Sequence, residues 1–158
     1  MLRISGAYRR AARAAVAVAS LTVEIPDALE FLRHNPRGVL ATTRADGAVQ
    51  MSPVVAAVDA HDRVLISTRE TALKTAHIRR TGRAAFLALP EGFFGSWAQV
   101  EGPVEVISLP EAMDGLVDYY RLVSGEHPDW EDYGAAMVRE RRVLLRMTVE
   151  RAGPSQSG

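Results

Sequence analysis

The sequence predicts one domain built on an antiparallel β-barrel with flanking helices, and three observations carry this prediction. The chain has 158 residues, enough to bury one core but too few for two full domains. About six β-rich segments follow one another without regular alternation with helices, which disfavours a doubly wound parallel sheet. No Gly-x-Gly-x-x-Gly motif follows any of these segments, so a Rossmann-type dinucleotide site is not predicted.

The order of elements follows from apolar periodicity and turn residues. The predicted strands cover residues 39–43, 49–58, 63–68, 83–89, 97–108 and 143–149. The predicted helices cover residues 26–34, 71–81, 110–123 and 130–140. Asp46-Gly47 predicts a hairpin turn, and Gly102-Pro103 predicts a bulge or bend in the fifth strand. Thr71 is the expected N-cap of the second helix and Gly82 its C-terminal cap.

The two ends of the chain are expected to lie outside the barrel. Residues 1–22 are interpreted as a poorly ordered or loosely helical extension, residues 23–150 as the barrel, and residues 151–158 as a loose tail. Arg9-Arg10 and a following alanine-rich run faintly imitate a secretory signal, but the apolar run is too short. No segment is long enough to span a membrane. We therefore expect a cytoplasmic protein without a membrane partner.

Composition excludes several classes of site. Acidic and basic residues balance at 19 each, so no basic face predicts nucleic-acid binding. The chain has no cysteine, which removes disulfides, thiolate catalysis and sulfur-ligated metals. The four histidines have no metal-ligand spacing. We expect no metal and no nucleic-acid partner.

The lysine usage points to a phosphate-binding segment. Lys74 is the single lysine beside 18 arginines, and it lies where the third strand leads into the second helix. Lysine meets a phosphate as a compact point charge, which the planar guanidinium group of arginine does not reproduce. Ser67, Thr68 and Thr75 add hydroxyls, and the helix start adds unpaired N–H groups. The alternative interpretation is a lysine on a solvated helix face.

Neighbouring arginines extend this positive region. Arg79 and Arg80 lie further along the same helix, and they would favour a cofactor with an acidic tail unless they form only a solvated face. No nucleophile elbow, Walker loop or pair of buried-type carboxylates is evident. A phosphate cradle without an acid, base or nucleophile indicates a protein whose bound cofactor carries the chemistry.

The motifs along the chain, in their order and spacing, resemble a known superfamily. The matching segments are Gly38-Val39-Leu40-Ala41-Thr42, Asp46-Gly47, Ser52-Pro53-Val54, Ser67-Thr68, Lys74-Thr75, Arg79-Arg80, Arg83-Ala84 and Val100-Glu101-Gly102. Together they are similar to the pyridoxamine 5′-phosphate oxidase-like split β-barrel superfamily over most of residues 25 to 150. Residues 125–130, Tyr133, Met137 and residues 141–145 resemble its actinobacterial branch of coenzyme F-420-dependent oxidoreductases.

The resemblance implies a six-stranded split barrel that forms a homodimer with two cofactor sites at the subunit interface. It implies that Lys74 holds the cofactor phosphate and that residues 49–54 lie along the flavin ring. The expected polar ring contacts are Gln50, Ser52 and Ser67, and the expected apolar ones are Met51 and Val54. Trp97 is expected to close the site of the partner subunit. Gln50 and Ser52 are equally compatible with ordinary alternating strand residues.

The leading functional expectation is hydride transfer between reduced F-420 and a small unsaturated organic substrate. An FMN-dependent oxidoreductase of the same fold and a non-catalytic flavin or deazaflavin carrier are the alternatives. Some relatives have an arginine near Ala72, so here Lys74 and Arg69 or Arg79 would balance the phosphate. The arginine-rich C-terminal segment that grips the substrate phosphate in true pyridoxamine phosphate oxidases is missing, so vitamin B6 oxidation is not expected.

Overall fold

The computed structural model describes residues 23–153, which form one antiparallel sheet of eight strands with four helices. The strands are β1 (Arg37–Thr43), β2 (Val49–Val55), β3 (Ala57–Val58), β4 (Arg63–Arg69), β5 (Arg83–Ala88), β6 (Ala98–Ile107), β7 (Arg142–Thr148) and β8 (Arg151–Ala152). The helices are α1 (Ile25–His34), α2 (Leu73–Thr81), α3 (Met113–Ser124) and α4 (Trp130–Arg139). The predicted mainly β class with flanking helices is confirmed. The predicted extension, residues 1–22, and residues 154–158 of the predicted tail lie outside the described residues.

The sheet curls into a barrel because one long strand belongs to both of its halves. The strand order is β2-β1-β5-β6-β7-β4-β3, with β8 also paired to β6. The first part of β6 pairs with β5 up to Pro103, and the second part pairs with β7 from Val104 onward. The partner changes at the Gly102-Pro103 step, where the sequence predicted a bend. Within residues 23–153 no helix is both long enough and apolar enough to cross a bilayer.

Two apolar cores lie on opposite faces of β4. Val64 and Ile66 face the barrel interior, where they pack with Phe86, Leu145 and the buried side of helix α1. Leu65 faces outward into a second core under α3 and α4. This strand is therefore covered on both faces, and its alternating residues enter different environments.

The predicted strand 49–58 is divided at Ala56. After Ala56 in the chain, β3 pairs with β4 in the register Ala57↔Leu65. Before Ala56, β2 pairs with β1 over its whole length, and the Ala56 N–H donates to the Pro36 carbonyl at 2.7 Å. Among residues 23–153 β2 pairs with β1 alone, and the residues of β4 after Leu65 pair with β7 alone, so β2 and the end of β4 are not hydrogen-bonded to each other. This separation is the split in the barrel.

The start of α2 differs from the sequence prediction. The helix begins at Leu73, its N-cap is Ala72, and no side chain caps it. Thr71 is therefore not the N-cap, because a turn from Arg69 to Ala72, closed by a 3.1 Å hydrogen bond, precedes the helix. Gly82 is the C-terminal cap as predicted, in the left-handed conformation with φ of 66°, which glycine adopts without strain.

We predict that Gly102→Ala destabilises the fold strongly. A Cβ at this position would lie 1.9 Å from the Thr148 carbonyl oxygen, and backbone must move to relieve the overlap. We expect a loss of about 3 kcal/mol in the free energy of unfolding, measured by chemical denaturation. Gly92→Ala is the control, because its Cβ would meet nothing within 4 Å, and it should change stability by less than about 1 kcal/mol. Equal stability of the two variants would contradict the close approach of Gly102 to the Thr148 carbonyl.

Candidate functional site

The candidate site begins with an unpaired strand edge. In an antiparallel pair, alternate residues direct their backbone groups toward the partner. Arg44 N–H bonds to the Ala48 carbonyl at one end of the β1–β2 pair, and Ala56 N–H bonds to Pro36 at the other. The intervening register makes residues 50, 52 and 54 the ones bonded to β1. The backbone groups of Val49, Met51, Pro53 and Val55 therefore point into the split.

Met51 lies in the middle of this open edge and supplies both a donor and an acceptor. Its N–H and C=O both face the split, whereas Pro53 has no N–H to donate. Proline is tolerated at such a position because no neighbouring strand needs the missing donor. The open edge of β2 thus presents a short donor and acceptor array in which backbone, not side chains, makes the hydrogen bonds.

The side chains of β2 lie on both sides of this edge. Gln50, Ser52 and Val54 are half-buried on the inner face, whereas the Met51 side chain is 69% exposed on the outer face. The Oε1 atom of Gln50 and the Oγ atom of Ser52 are buried without a hydrogen-bond partner among residues 23–153. A planar group inserted along the edge would have Gln50 and Ser52 on one side and Met51 on the other.

The start of α2 lies at the same end of the barrel as the beginning of β2. The Oγ1 atom of Thr42 and Nδ1 of His77 are 3.0 Å apart, and Thr42 is paired with Gln50 across β1 and β2. Lys74 precedes His77 by three residues, so the two side chains are neighbours on one helix face. This contact places the middle of α2 beside the end of β1, one strand away from β2.

The first turn of α2 carries positive potential without internal compensation. It contains no acidic residue and has no side-chain cap. The backbone N–H groups of Leu73 and Lys74 have no acceptor within the described part of the chain, and Lys74 has no ion-pair partner there. A lysine at a helix N-terminus adds charge of the same sign as the helix dipole, which is unfavourable unless an anion balances it.

The predicted hydroxyl ligands have separate positions. Ser67 lies on the outer face of β4 with Leu65, and Thr68 lies on the inner face, buried. Thr75 is fully buried, and its hydroxyl donates to the Arg69 carbonyl at 2.8 Å. The Thr75 hydroxyl therefore holds the β4–α2 connection in place.

The two arginines of α2 have different partners. Arg79 forms two hydrogen bonds to Glu70, at 3.0 and 2.8 Å, and a third to the Ser108 hydroxyl at 2.8 Å. The Arg79 guanidinium lowers the pKa of the Glu70 carboxyl, an effect that partial desolvation opposes. Arg80 donates to the Thr43 carbonyl at the end of β1. Arg79 is thus neutralised by a carboxylate, whereas Arg80 keeps its net charge beside the turn that joins β1 and β2.

Trp97 lies at the other end of the same barrel. It directly precedes Ala98, which is paired with Ala88 near the beginning of β1. Within one chain the structure does not bring Trp97 to Lys74. A cleft of about 480 Å³ at this far end is lined in part by Arg37, Pro53 and Phe93, so it shares only Pro53 with the open edge.

Sequence reasoning did not identify two residues near the open edge. His77 lies in the predicted helix over residues 71–81 and Tyr119 in the predicted helix over residues 110–123. The Tyr119 hydroxyl donates to the Val55 carbonyl at 2.9 Å. A tyrosine on an apolar helix face gives no sequence signal for this contact, which depends on tertiary packing. Among residues 23–153 no three His, Asp or Glu side chains form a metal-binding group.

The open edge and the sheet order define the class of this protein as a split β-barrel. Residues 25–155 match the family model described as pyridoxamine 5′-phosphate oxidase, and the chain belongs to that family. This match confirms the superfamily expected from the motifs.

Solved structures show the same fold at low sequence identity. A conserved hypothetical protein from Mycobacterium tuberculosis is similar with a TM-score of 0.69 and 22% identity, over 88% of each chain. A structure described as an F420 reductase has a TM-score of 0.61 and 18% identity, over 78% of this chain and 94% of that one. A putative pyridoxamine 5′-phosphate oxidase from Listeria innocua has a TM-score of 0.59 and 12% identity, over 82% and 95%.

Proposed function

We propose that this protein is an oxidoreductase that transfers hydride between reduced deazaflavin coenzyme F-420 and a small unsaturated organic substrate. The observation that carries the proposal is the meeting of two features at one end of the barrel. The open edge of β2 offers backbone donors and acceptors, and Lys74 lies at the uncapped start of α2, the helix whose His77 contacts the end of β1. The F420 reductase neighbour supports the choice of a deazaflavin.

The open edge fits the polar rim of a flavin or deazaflavin ring. Both rings carry a uracil-like edge of carbonyl oxygens and one N–H, which needs donors and acceptors in alternation. The Met51 N–H and C=O provide one of each, and the unpartnered Gln50 and Ser52 atoms lie beside them. Val54 on the inner face and the exposed Met51 side chain supply apolar surface next to this rim.

The start of α2 fits the phosphate of either cofactor. Lys74 would contribute the charge, and the N–H groups of Leu73 and Lys74 would donate to phosphate oxygens. Thr75 and the Glu70–Arg79 pair would hold the loop that presents these donors. Ser67 and Thr68 lie on opposite faces of β4, so at most one of them would contact a given group of the cofactor, and Trp97 would come from a second subunit.

When bound, reduced F-420 supplies the hydride, while the substrate gains that hydride at one carbon and a solvent proton at its neighbour. The chain contributes binding, orientation and exclusion of water. The backbone of β2 would orient the ring through Met51, and Lys74 would fix its phosphate end. Held at two separated points, the ring has one orientation relative to the substrate.

FMN is the second candidate, and one observation favours it. Arg79 is committed to Glu70 and Ser108, so of the cationic residues predicted on α2, Lys74 and Arg80 remain to attract the acidic tail that distinguishes F-420 from FMN. A smaller electrostatic advantage for F-420 follows from this arrangement. Binding of either cofactor without hydride transfer to any substrate would identify the remaining alternative, a carrier protein.

Lys74→Ala is expected to weaken cofactor binding by about 1.5 to 3 kcal/mol, the usual contribution of a hydrogen bond to a charged group. Lys74→Arg should recover only part of the affinity, because the planar fork does not occupy the same point-charge position. Equilibrium titration with F-420 and FMN measures both effects. Arg44→Ala is the control, since Arg44 pairs with Asp46 in the exposed hairpin turn. Unchanged affinity in Lys74→Ala would show that the phosphate site is elsewhere.

The choice of cofactor should depend on salt. We expect F-420 to bind more tightly than FMN, with a difference that shrinks as ionic strength rises. Arg80→Ala should reduce this difference, whereas the double substitution Glu70→Gln with Arg79→Gln should leave the salt dependence nearly unchanged, because it removes a pair with no net charge. Titrations of both cofactors at two salt concentrations test this. Micromolar FMN binding without detectable F-420 binding would instead establish the FMN-dependent alternative.

We also propose a homodimer in which Trp97 of one chain closes the site of the other. Several large apolar side chains are exposed near the split and the β5–β6 connection, including Met51 and the edge-to-face pair Phe93 and Phe94, which are 63% and 80% exposed. Sedimentation should show dimers at low micromolar concentration. A monomer that binds cofactor with full affinity would remove Trp97 from the proposed site.

A further inference from the structure

A tyrosine hydroxyl occupies the C-terminal end of the open edge, at Val55. Tyr119 reaches from α3 and donates to the Val55 carbonyl at 2.9 Å. By the alternation established for β2, Val55 is the last residue whose carbonyl points into the split. Tyr119 therefore satisfies the acceptor at the position where β2 and β4 begin to separate.

The same side chain also faces β4. Extension of the β3–β4 register from Ala57↔Leu65 places Ser67 opposite Val55. Burial raises the pKa of Tyr119, while the charge of Arg142 and the backbone N–H of Ser67 oppose the shift. The phenol is thus a protonated donor at neutral pH, and it stands between the two strands.

The tyrosine is held by the second core. Leu116, one turn earlier on α3, is fully buried, and its carbonyl accepts a 2.8 Å hydrogen bond from the Tyr133 hydroxyl of α4. Tyr119 itself packs against this core. The helical pair is therefore a fixed platform from which the hydroxyl reaches the barrel.

We infer that Tyr119 is a positioning residue that fixes the spacing of β2 from β4 and thereby the geometry of the cofactor-binding edge. This inference rests on the proposed function, since the edge is the one assigned to the ring. Without the hydroxyl, the Val55 carbonyl loses its donor and the end of β2 loses its tie to α3. Residues 49–55 would then move more freely relative to Lys74.

The test compares Tyr119→Phe with Tyr120→Phe. The phenyl ring keeps the packing of Tyr119, so the variant should fold. Tyr120→Phe removes a hydroxyl from the next residue of the same helix, and that hydroxyl has no hydrogen bond within residues 23–153. Hydrogen exchange of cofactor-free protein should be about three- to tenfold faster over residues 49–56 in Tyr119→Phe, the effect of one lost hydrogen bond, and unchanged in Tyr120→Phe.

Cofactor titration supplies the second readout. Tyr119→Phe should raise the Kd of F-420 or FMN by about three- to tenfold and shift the absorbance of the bound ring, while Tyr120→Phe should do neither. Unchanged exchange in Tyr119→Phe would overturn the inference. Faster exchange with unchanged affinity and absorbance would reduce Tyr119 to a structural role and also overturn it. If the unmodified protein binds neither cofactor, the proposed function fails, and with it the positioning role.

Discussion

The separation of β2 from β4 after Ala56 is the constraint on which the rest of this structure depends. Each strand has a partner on one side, β1 for β2 and β7 for β4, and on the facing side β4 is hydrogen-bonded to the short β3 rather than to β2. An open edge normally invites pairing with another chain or leaves backbone groups unsatisfied. Here Pro53 removes one donor and Tyr119 satisfies one acceptor. Val49 and Met51 keep both backbone groups free, at the end of β2 next to the hairpin turn.

Charge placement reinforces this geometry. Arginines tie distant segments together by pairing with carboxylates, as Arg79 does with Glu70 and Arg83 with Glu150, both at 2.8 Å. Such exposed pairs contribute only about 0 to 1 kcal/mol each, so their main effect is to neutralise charge locally. Lys74 has no carboxylate partner in the part of the chain described here. The uncompensated charge therefore coincides with the uncapped helix start, and an anion bound there would meet both.

The sequence predicted the order of strands and helices because turn residues and apolar spacing act locally. Asp46-Gly47 and Gly82 lie where their backbone preferences place them, and the Gly102-Pro103 step marks the change of partner in β6. The division of residues 49–58 at Ala56 was not predicted, because a continuous apolar run indicates a strand but not which neighbour it pairs with. The contact of Tyr119 and the pairing of Arg79 with Glu70 depend on tertiary packing, which periodicity does not contain. The position of Lys74 in the first turn of α2 was predicted, because the end of a strand and the start of the next helix are adjacent in the chain.

A site that recognises its ligand through a strand edge places few demands on side chains. The donor and acceptor of Met51 belong to the backbone, so substitution of the residue would leave them in place while the register with β1 is kept. Register depends on the inward-facing residues and the hairpin turn, which tolerate many sequences. The same fold at 12 to 22% identity in the solved structures accords with a framework whose essential feature is geometric. Discrimination between ligands would then fall to the few groups that are not backbone. These are chiefly the charges of Lys74 and Arg80 and the Trp97 side chain that closes the site in the proposed dimer.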